Sequence, residues 1–242
     1  MNERLQGKAI DLAFTLRRIA TEHAPVALAS SLGAEDMVLT DVILRHDLDI
    51  EIFTLDTGRL HPETHGLIDA IDRSYGYRLT VYQPRSEAVD EYVRAHGADA
   101  FYSSIERRKQ CCGIRKVEPL GRALFGKAAW ITGLRRAQAV TRHTLAEREF
   151  DAVHGVPKFN PLADWRDAEV WAYLRAFAVP TNPLHARGYP SIGCAPCTRA
   201  IAPGEDPRAG RWWWERTDTK ECGLHVAHDG GLARAKRALE AA

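Results

Sequence analysis

Five cysteines fall in three places along the chain: an adjacent pair, Cys111 and Cys112; a Cys-Ala-Pro-Cys run holding Cys194 and Cys197; and a lone Cys222 inside Glu-Cys-Gly-Leu-His. Two pairs supply four thiolates, enough for one metal centre, and both zinc and iron–sulfur clusters accept four cysteines. Side chains of adjacent residues point apart on a regular element. A centre with several separated irons therefore suits Cys111 and Cys112 better than one tetrahedral ion, and two unrelated sets of thiols are the plain alternative. The fifth thiol stands among Lys220, Glu221 and His225. A nearby cation such as His225 or Arg216 favours the thiolate, which is the nucleophilic form; an incidental surface cysteine is the other reading.

Arg and Lys are frequent from Arg107 to Arg216, the stretch that also holds both cysteine pairs. Lys116 follows the adjacent cysteines, Arg135, Arg136 and Arg142 follow a short apolar run, and Arg208 and Arg211 lie between Cys197 and Cys222. Singly each is an ordinary solvated charge. Together they offer forked donors to a phosphate or sulfate. Trp212-Trp213-Trp214 reads either as packing or as a docking surface.

These groups need a frame. Leu5, Leu12, Leu16 and Ile19 recur at helical spacing, so a helix is expected over residues 3–22. Short apolar runs at 26–30, 51–56, 78–83 and 130–133 read as strands, alternating with helices over 37–44, from near Pro62, and over 86–96. Such alternation implies an α/β fold, a parallel twisted sheet flanked by helices. Ligands of such sheets bind beyond the carboxyl ends of the strands. The turns Ser30-Ser31-Leu32-Gly33, Leu55-Asp56-Thr57-Gly58 and Gly133-Leu134-Arg135-Arg136 are thus candidate contacts. The first is either a tight strand-to-helix turn or a cradle of backbone N–H groups for an anion. It carries neither Gly-Lys-Ser/Thr nor Gly-x-Gly-x-x-Gly. Beyond about residue 180 Pro, Gly and Arg dominate, and an irregular C-terminal segment, mobile in part, is expected.

With 242 residues, 45% of them hydrophobic, the chain can bury a core without metals or disulfides. A formal charge of +1 gives no bulk field for nucleic acid or membrane. No apolar run is long enough to span a bilayer, and no signal segment follows the N-terminus. A cytoplasmic protein is expected, where paired cysteines bind metal or do redox chemistry rather than form lasting disulfides.

Ser31-Leu-Gly-Ala-Glu-Asp-Met, Leu55-Asp-Thr-Gly-Arg-Leu-His-Pro-Glu-Thr64, Cys111-Cys-Gly-Ile-Arg-Lys116-Val-Glu-Pro-Leu, Thr132-Gly-Leu-Arg-Arg-Ala-Gln138, Cys194-Ala-Pro-Cys197-Thr and Glu221-Cys-Gly-Leu-His225 occur in this order. Together they resemble the iron–sulfur type of assimilatory adenylyl-sulfate reductase, in the adenylyl-sulfate/phosphoadenylyl-sulfate reductase family, over most of the chain. The resemblance implies an adenine nucleotide alpha-hydrolase-like fold. It implies thioredoxin-dependent reduction of adenylyl sulfate to sulfite and AMP through a cysteine S-sulfonate, with glutaredoxin the alternative donor. By motif match Cys222 is the nucleophile, aided by His225 and Lys116, and Cys111, Cys112, Cys194 and Cys197 hold a [4Fe-4S] cluster. Lys116, Arg142, Arg208, Arg211 and His225 match positions facing the phosphosulfate. Ser30, Ser31, Gly33, Leu55, Thr57 and Gly133 then cradle the adenosine. Lys116, four residues after a cluster ligand, is placed to couple cluster and substrate electrostatically.

Residues 1–202 are expected to bind nucleotide and cluster, and residues 203–242 to carry the catalytic cysteine. Cluster-free phosphoadenylyl-sulfate reductases lack both cysteine pairs, so adenylyl sulfate is the expected substrate; use of the 3′-phosphorylated nucleotide, alone or as well, is the alternative. A zinc-stabilised binding module is the rival from another class. A tRNA-modifying pyrophosphatase is disfavoured by the first loop, which departs from Ser-Gly-Gly-x-Asp-Ser, and by weak basicity. Neither nucleic acid nor membrane is an expected partner, and the sequence leaves open whether the chain forms a homo-oligomer.

Overall fold

The computed structural model describes residues 3–139 and 142–215. The first half follows the hydrophobic pattern closely. Helix α1 (Glu3–Glu22) buries Leu5, Leu12, Leu16 and Ile19, the stripe that its spacing sets. Then come β1 (Val26–Ser30), α2 (Ala34–Arg45), β2 (Ile50–Leu55), α3 (Pro62–Tyr75), β3 (Thr80–Tyr82) and α4 (Ser86–His96). Helix α3 starts at a proline, whose missing N–H costs nothing in a first turn, and stops at Gly76, which takes a left-handed φ of 64°.

Strand order is β3-β2-β1-β4-β6-β5, with β4 at Ala129–Ile131, β5 at Arg148–Asp151 and β6 at Val156–Phe159. Strand β1 runs parallel to β2 and β4, β2 to β3, and β4 to β6. Only β5 is antiparallel, paired with β6. The sheet is therefore mixed and mostly parallel rather than wholly parallel. The β5–β6 hairpin did not announce itself, because Arg-Glu-Phe-Asp and Val-Pro-Lys-Phe show neither an apolar run nor clean alternation. Its edge strand is half exposed, as charged edges are.

Alternate residues of β1 feed opposite faces. Val26 and Leu28 join a core with Leu16, Met37, Leu39, Ile52, Ile131 and Val170. Ala27 packs on the other face with Phe53, Trp130 and the helix α6 (Glu118–Leu124). Helix α7 (Asp167–Ala176) covers the first face. Strand order reverses at β1 and β4, and the crevice this leaves lies at the strands' carboxyl ends.

Helix α5 (Ile105–Cys112) has no apolar stripe; it buries Arg108 and Cys112 and begins at Ser104, whose hydroxyl accepts from the Arg107 N–H at 3.2 Å. A single π-helical turn, Gly113–Val117, joins it to α6. Such turns recur at functional positions. Past residue 180 the described chain has short 3-10 turns and one bridge, Thr198 with Arg211, and no strand, in keeping with the irregular reading. Its last part, 203–215, folds back on the body and buries Trp212. Cys222, His225 and Arg216 lie outside the described residues. Among those described, no helix is long and apolar enough to cross a membrane.

Candidate active site

At the carboxyl ends of β1, β2 and β4 the fold leaves a cavity of about 740 Å³. Ser30, Ser31, Gly33, Leu55, Thr57 and Gly133 line it, and so do Lys116, Arg142, Arg208 and Arg211. These ten residues come from positions 30 to 211 and line one space, while His225, expected beside them, lies outside the described residues.

The first turn is held by a carboxylate that sequence reasoning did not single out. Asp36 Oδ2 accepts from the Ser31 N–H and hydroxyl, both at 2.6 Å, and Ser30 Oγ accepts from the Leu32 N–H at 3.2 Å. These bonds fix Leu32 at φ 62°, an uncommon value for a residue with a side chain. Burial pushes the Asp36 carboxyl up to about 6, against the opposing pull of the Ser31 hydrogen bonds. Gly133 passes directly over it: a Cβ there would come 2.9 Å from Glu35 Cβ and 3.1 Å from the Asp36 nitrogen, and would strike the Asp36 carboxylate. Gly33 is the N-cap of α2, so the helix's unpaired N–H groups border the same cavity.

Not every cation is turned to a ligand. Arg135 is buried and spent inside the protein: it donates to Glu35 Oε1 (2.9 and 2.6 Å), to Asp167 and to the Trp165 carbonyl. Arg136 pairs with Asp164 and donates to the Leu145 carbonyl at 2.7 Å. These two leave the group of candidate anion clamps. Arg142 stands at the cavity, donating to Gln138 Oε1 at 2.6 Å. Arg211 is buried and donates to Ser191 Oγ and the Ile192 carbonyl, while its Nε is buried without a partner among the described residues. A buried unsatisfied donor beside a cavity points to a missing acceptor. Gly193, missed from sequence, makes room for it, since a Cβ there would lie 2.5–3.1 Å from the guanidinium.

A second, small cavity adjoins the first. Cys111, Cys112, Cys194 and Cys197 all border it, with Arg59, Arg108, Arg115, Lys116 and Trp212. Lys116 and Cys194 line both cavities. Among the described residues no three His, Cys, Asp or Glu are arranged about a single ion. The thiols sit in a low-dielectric pocket: burial first, then neighbouring Cys194, pushes Cys197 up to about 12, with Lys116 and Arg211 opposing. Burial likewise raises Cys111, and Arg115 opposes it. Left to themselves these groups stay protonated, so holding them as thiolates takes a bound cation or cluster.

The turn after β2 ties the two cavities together. Thr57 Oγ1 and Cys194 Sγ lie 3.2 Å apart in a hydrogen bond, Arg115 donates to the Thr57 carbonyl at 2.7 Å, and the Ala195 N–H donates to the Arg59 carbonyl at 2.8 Å. Arg115 carried no sequence signal beyond its place between Cys112 and Lys116.

With this geometry in hand, comparison with known proteins decides the family. A family profile for the phosphoadenosine phosphosulfate reductase domain matches residues 25–200. This chain belongs to that family. It is 60% identical over 222 residues to the adenosine 5′-phosphosulfate reductase of Burkholderia cepacia, covering 92% of this chain and 89% of that one. It is 57% identical over 220 residues to the protein of that name from Allochromatium vinosum, covering 91% and 85%. Among solved structures, the phosphoadenylyl-sulfate reductase of Candida auris, in a phosphate complex, matches with a TM-score of 0.67 at 26% identity, over 83% of this chain and 98% of that one. The FMN adenylyltransferase of Candida glabrata matches at 14% identity with a TM-score of 0.54, over 98% and 84%. That likeness concerns the fold alone, the sheet of the adenine nucleotide alpha-hydrolase type.

Proposed function

We infer that this protein is an adenylyl-sulfate reductase: it reduces adenylyl sulfate to sulfite and AMP in sulfate assimilation. The activity named for its relatives supports the reading, and one observation carries it here. The nucleotide-sized cavity and the four-thiol cavity share Lys116 and Cys194, so an anion at the basic end of the first lies against the thiol centre.

The steps follow from the groups. The adenosine lies against the turns at Ser30, Gly33, Leu55, Thr57 and Gly133. Its phosphosulfate extends toward Lys116, Arg142, Arg208 and Arg211, whose charges stabilise the AMP phosphate as it leaves. The Cys222 thiolate, in the segment 203–242, attacks the sulfate sulfur. A sulfur–sulfur bond forms, the sulfur–oxygen bond to phosphate breaks, and its electron pair departs with AMP. Reduced thioredoxin, or glutaredoxin, supplies two electrons as a dithiol: one thiolate displaces sulfite from the adduct, and the second returns Cys222 to the thiol. His225 is the proposed cation that keeps Cys222 ionised.

The donor set of Cys111, Cys112, Cys194 and Cys197, which border one small cavity with all but the half-buried Cys111 buried, suits a [4Fe-4S] cluster better than an anion or a water site. When bound, such a cluster supplies a covalent cross-link between α5 and the 194–197 turn and a fixed local charge that Lys116 balances. The use of nucleotide and reduced dithiol, with four cysteines held free of disulfides, fits a cytoplasmic setting.

Anaerobically purified protein given reduced thioredoxin is expected to release sulfite from adenylyl sulfate, and to contain iron and inorganic sulfide. Faster release from the 3′-phosphorylated nucleotide would reassign the substrate. A colourless zinc protein with no sulfite release would overturn the reading.

A further inference from the structure

One wall of the cavity is a loop with no regular structure. Its ends are closed by the bridge of Thr198 with Arg211, by the Arg199 N–H donating to the Gly210 carbonyl at 3.0 Å, and by the Ile201 N–H donating to the Gly188 carbonyl at 2.8 Å. Between those ends Ile201, Ala202, Pro203, Gly204, Pro207 and Arg208 line the cavity. The tip is a turn in which the Glu205 N–H donates to the Ala202 carbonyl at 3.1 Å, with Pro203 in second place and Gly204, at φ 89°, in third. Proline and a glycine of positive φ are what a type II turn takes at those places.

Arg199 and Glu205 stand outside the cavity lining. Arg199 grips the Glu205 carboxylate with both terminal nitrogens, each bond 3.0 Å, and the Ala202 N–H donates to the same carboxylate at 2.7 Å. The two side chains are 40% and 35% exposed. An ion pair so open to water adds little to global stability. Its effect is local: one carboxylate ties the base of the loop to its tip. From there the order passes along the chain. Asp206 Oδ1 accepts from the Arg208 N–H at 2.7 Å, the Ala209 N–H donates to the Asp206 carbonyl at 2.8 Å, and the Arg211 N–H donates to the Arg208 carbonyl at 2.9 Å. The backbone that presents Arg208 to the cavity is therefore set from Glu205 onward.

We propose that Arg199 and Glu205 form a staple that holds the loop in its binding conformation and so places Arg208 against the phosphosulfate before the substrate arrives. Both are positioning residues, which act through the loop and not on the ligand. The proposal rests on the reading of Arg208 as a phosphosulfate contact. A loop left loose must be ordered by the ligand, and that ordering lowers affinity by about three- to tenfold. The loss falls on the sulfated nucleotide, because adenosine has no group for Arg208 to meet.

The test is titration calorimetry with adenylyl sulfate and with adenosine, on full-length protein carrying Cys222→Ser so that the ligand is not consumed. Glu205→Ala is expected to weaken adenylyl sulfate about three- to tenfold, with adenosine affinity and iron content unchanged. Glu205→Gln, which keeps an acceptor for the Ala202 N–H but not the charge, should fall between. The deciding arm is a double-variant cycle: once Arg208→Ala has removed the contact, adding Glu205→Ala should cost less than about twofold, the scatter of independent sites. The full loss in that background overturns the staple, and so does an equal loss for both ligands or unchanged adenylyl sulfate affinity in Glu205→Ala. If Arg208→Ala alone costs nothing, the phosphosulfate contact fails and the staple falls with it. That outcome is distinct from failure of the staple itself, in which Arg208→Ala weakens adenylyl sulfate and Glu205→Ala does not.

Discussion

The two ends of the cavity are built on opposite principles. At the end proposed for the nucleotide, Ser31, Asp36 and Gly133 hold backbone in place, and the cation Arg135 is spent on Glu35 and Asp167. At the sulfur end the cations Lys116, Arg208 and Arg211 line the open space, and the thiols lie beneath them. The first end is a shape fixed by close approach; the second is a field fixed by charge. The difference predicts that substitutions at the two ends fail differently: steric changes should damage all nucleotides alike, and charge changes should single out the sulfated one.

The largest effect belongs to the thiols. Cys194→Ser is expected to lose iron and inorganic sulfide and to abolish turnover, because this proposed ligand also bonds Thr57 and packs with Phe101 and Trp212. Retention of the full iron content on metal analysis would remove Cys194 from the ligand set. Next come the cations. Arg208→Ala or Arg211→Ala should weaken adenylyl sulfate roughly 10- to 100-fold, the worth of a charge-assisted hydrogen bond, and leave adenosine affinity nearly unchanged; titration calorimetry showing equal losses for both would break the comparison. Gly133→Ala should weaken adenylyl sulfate and adenosine alike by roughly tenfold, a moderate overpacking cost of 1–3 kcal/mol. A loss confined to the sulfated ligand would place Gly133 with the charge-built end.

The last effect concerns pH and is read in stability rather than in ligand affinity. Asp36 is raised from 3.8 to about 6 by burial. The stability conferred by its neutral form is complete below 3.8 and is lost as pH climbs through 6. A change of this size corresponds to roughly 3 kcal/mol. Denaturant melts of Asp36→Asn should therefore lack the decline that the unchanged protein shows across that window. Parallel curves would mean that the Ser31 hydrogen bonds fully offset the burial.

How much of this was legible in sequence follows the same divide. Helices α1 and α4 were readable to their ends because an apolar stripe or a clear start signal decided them. Helix α5 was not, since it packs by Arg108 and two cysteines rather than by a stripe, and the β5–β6 hairpin hides behind charge and Pro157. At the site, the strand-end turns and the basic residues were readable as types and places. Partners were not: nothing in Leu-Arg-Arg says that Arg135 turns inward to Glu35 while Arg142 stands at the cavity. Gly133 meets Asp36, and Arg211 meets Gly193, across about a hundred and about twenty residues of chain. Periodicity cannot report such approaches.

The most direct test of the account is to incubate the anaerobic protein with adenylyl sulfate alone, then locate the sulfonate by peptide mass spectrometry while counting the AMP released. The account predicts one sulfonate per chain, on Cys222, matched by one AMP, and neither product from Cys222→Ser. A sulfonate on Cys111, Cys112, Cys194 or Cys197, or AMP and sulfite released by the serine variant when thioredoxin is added, would contradict it.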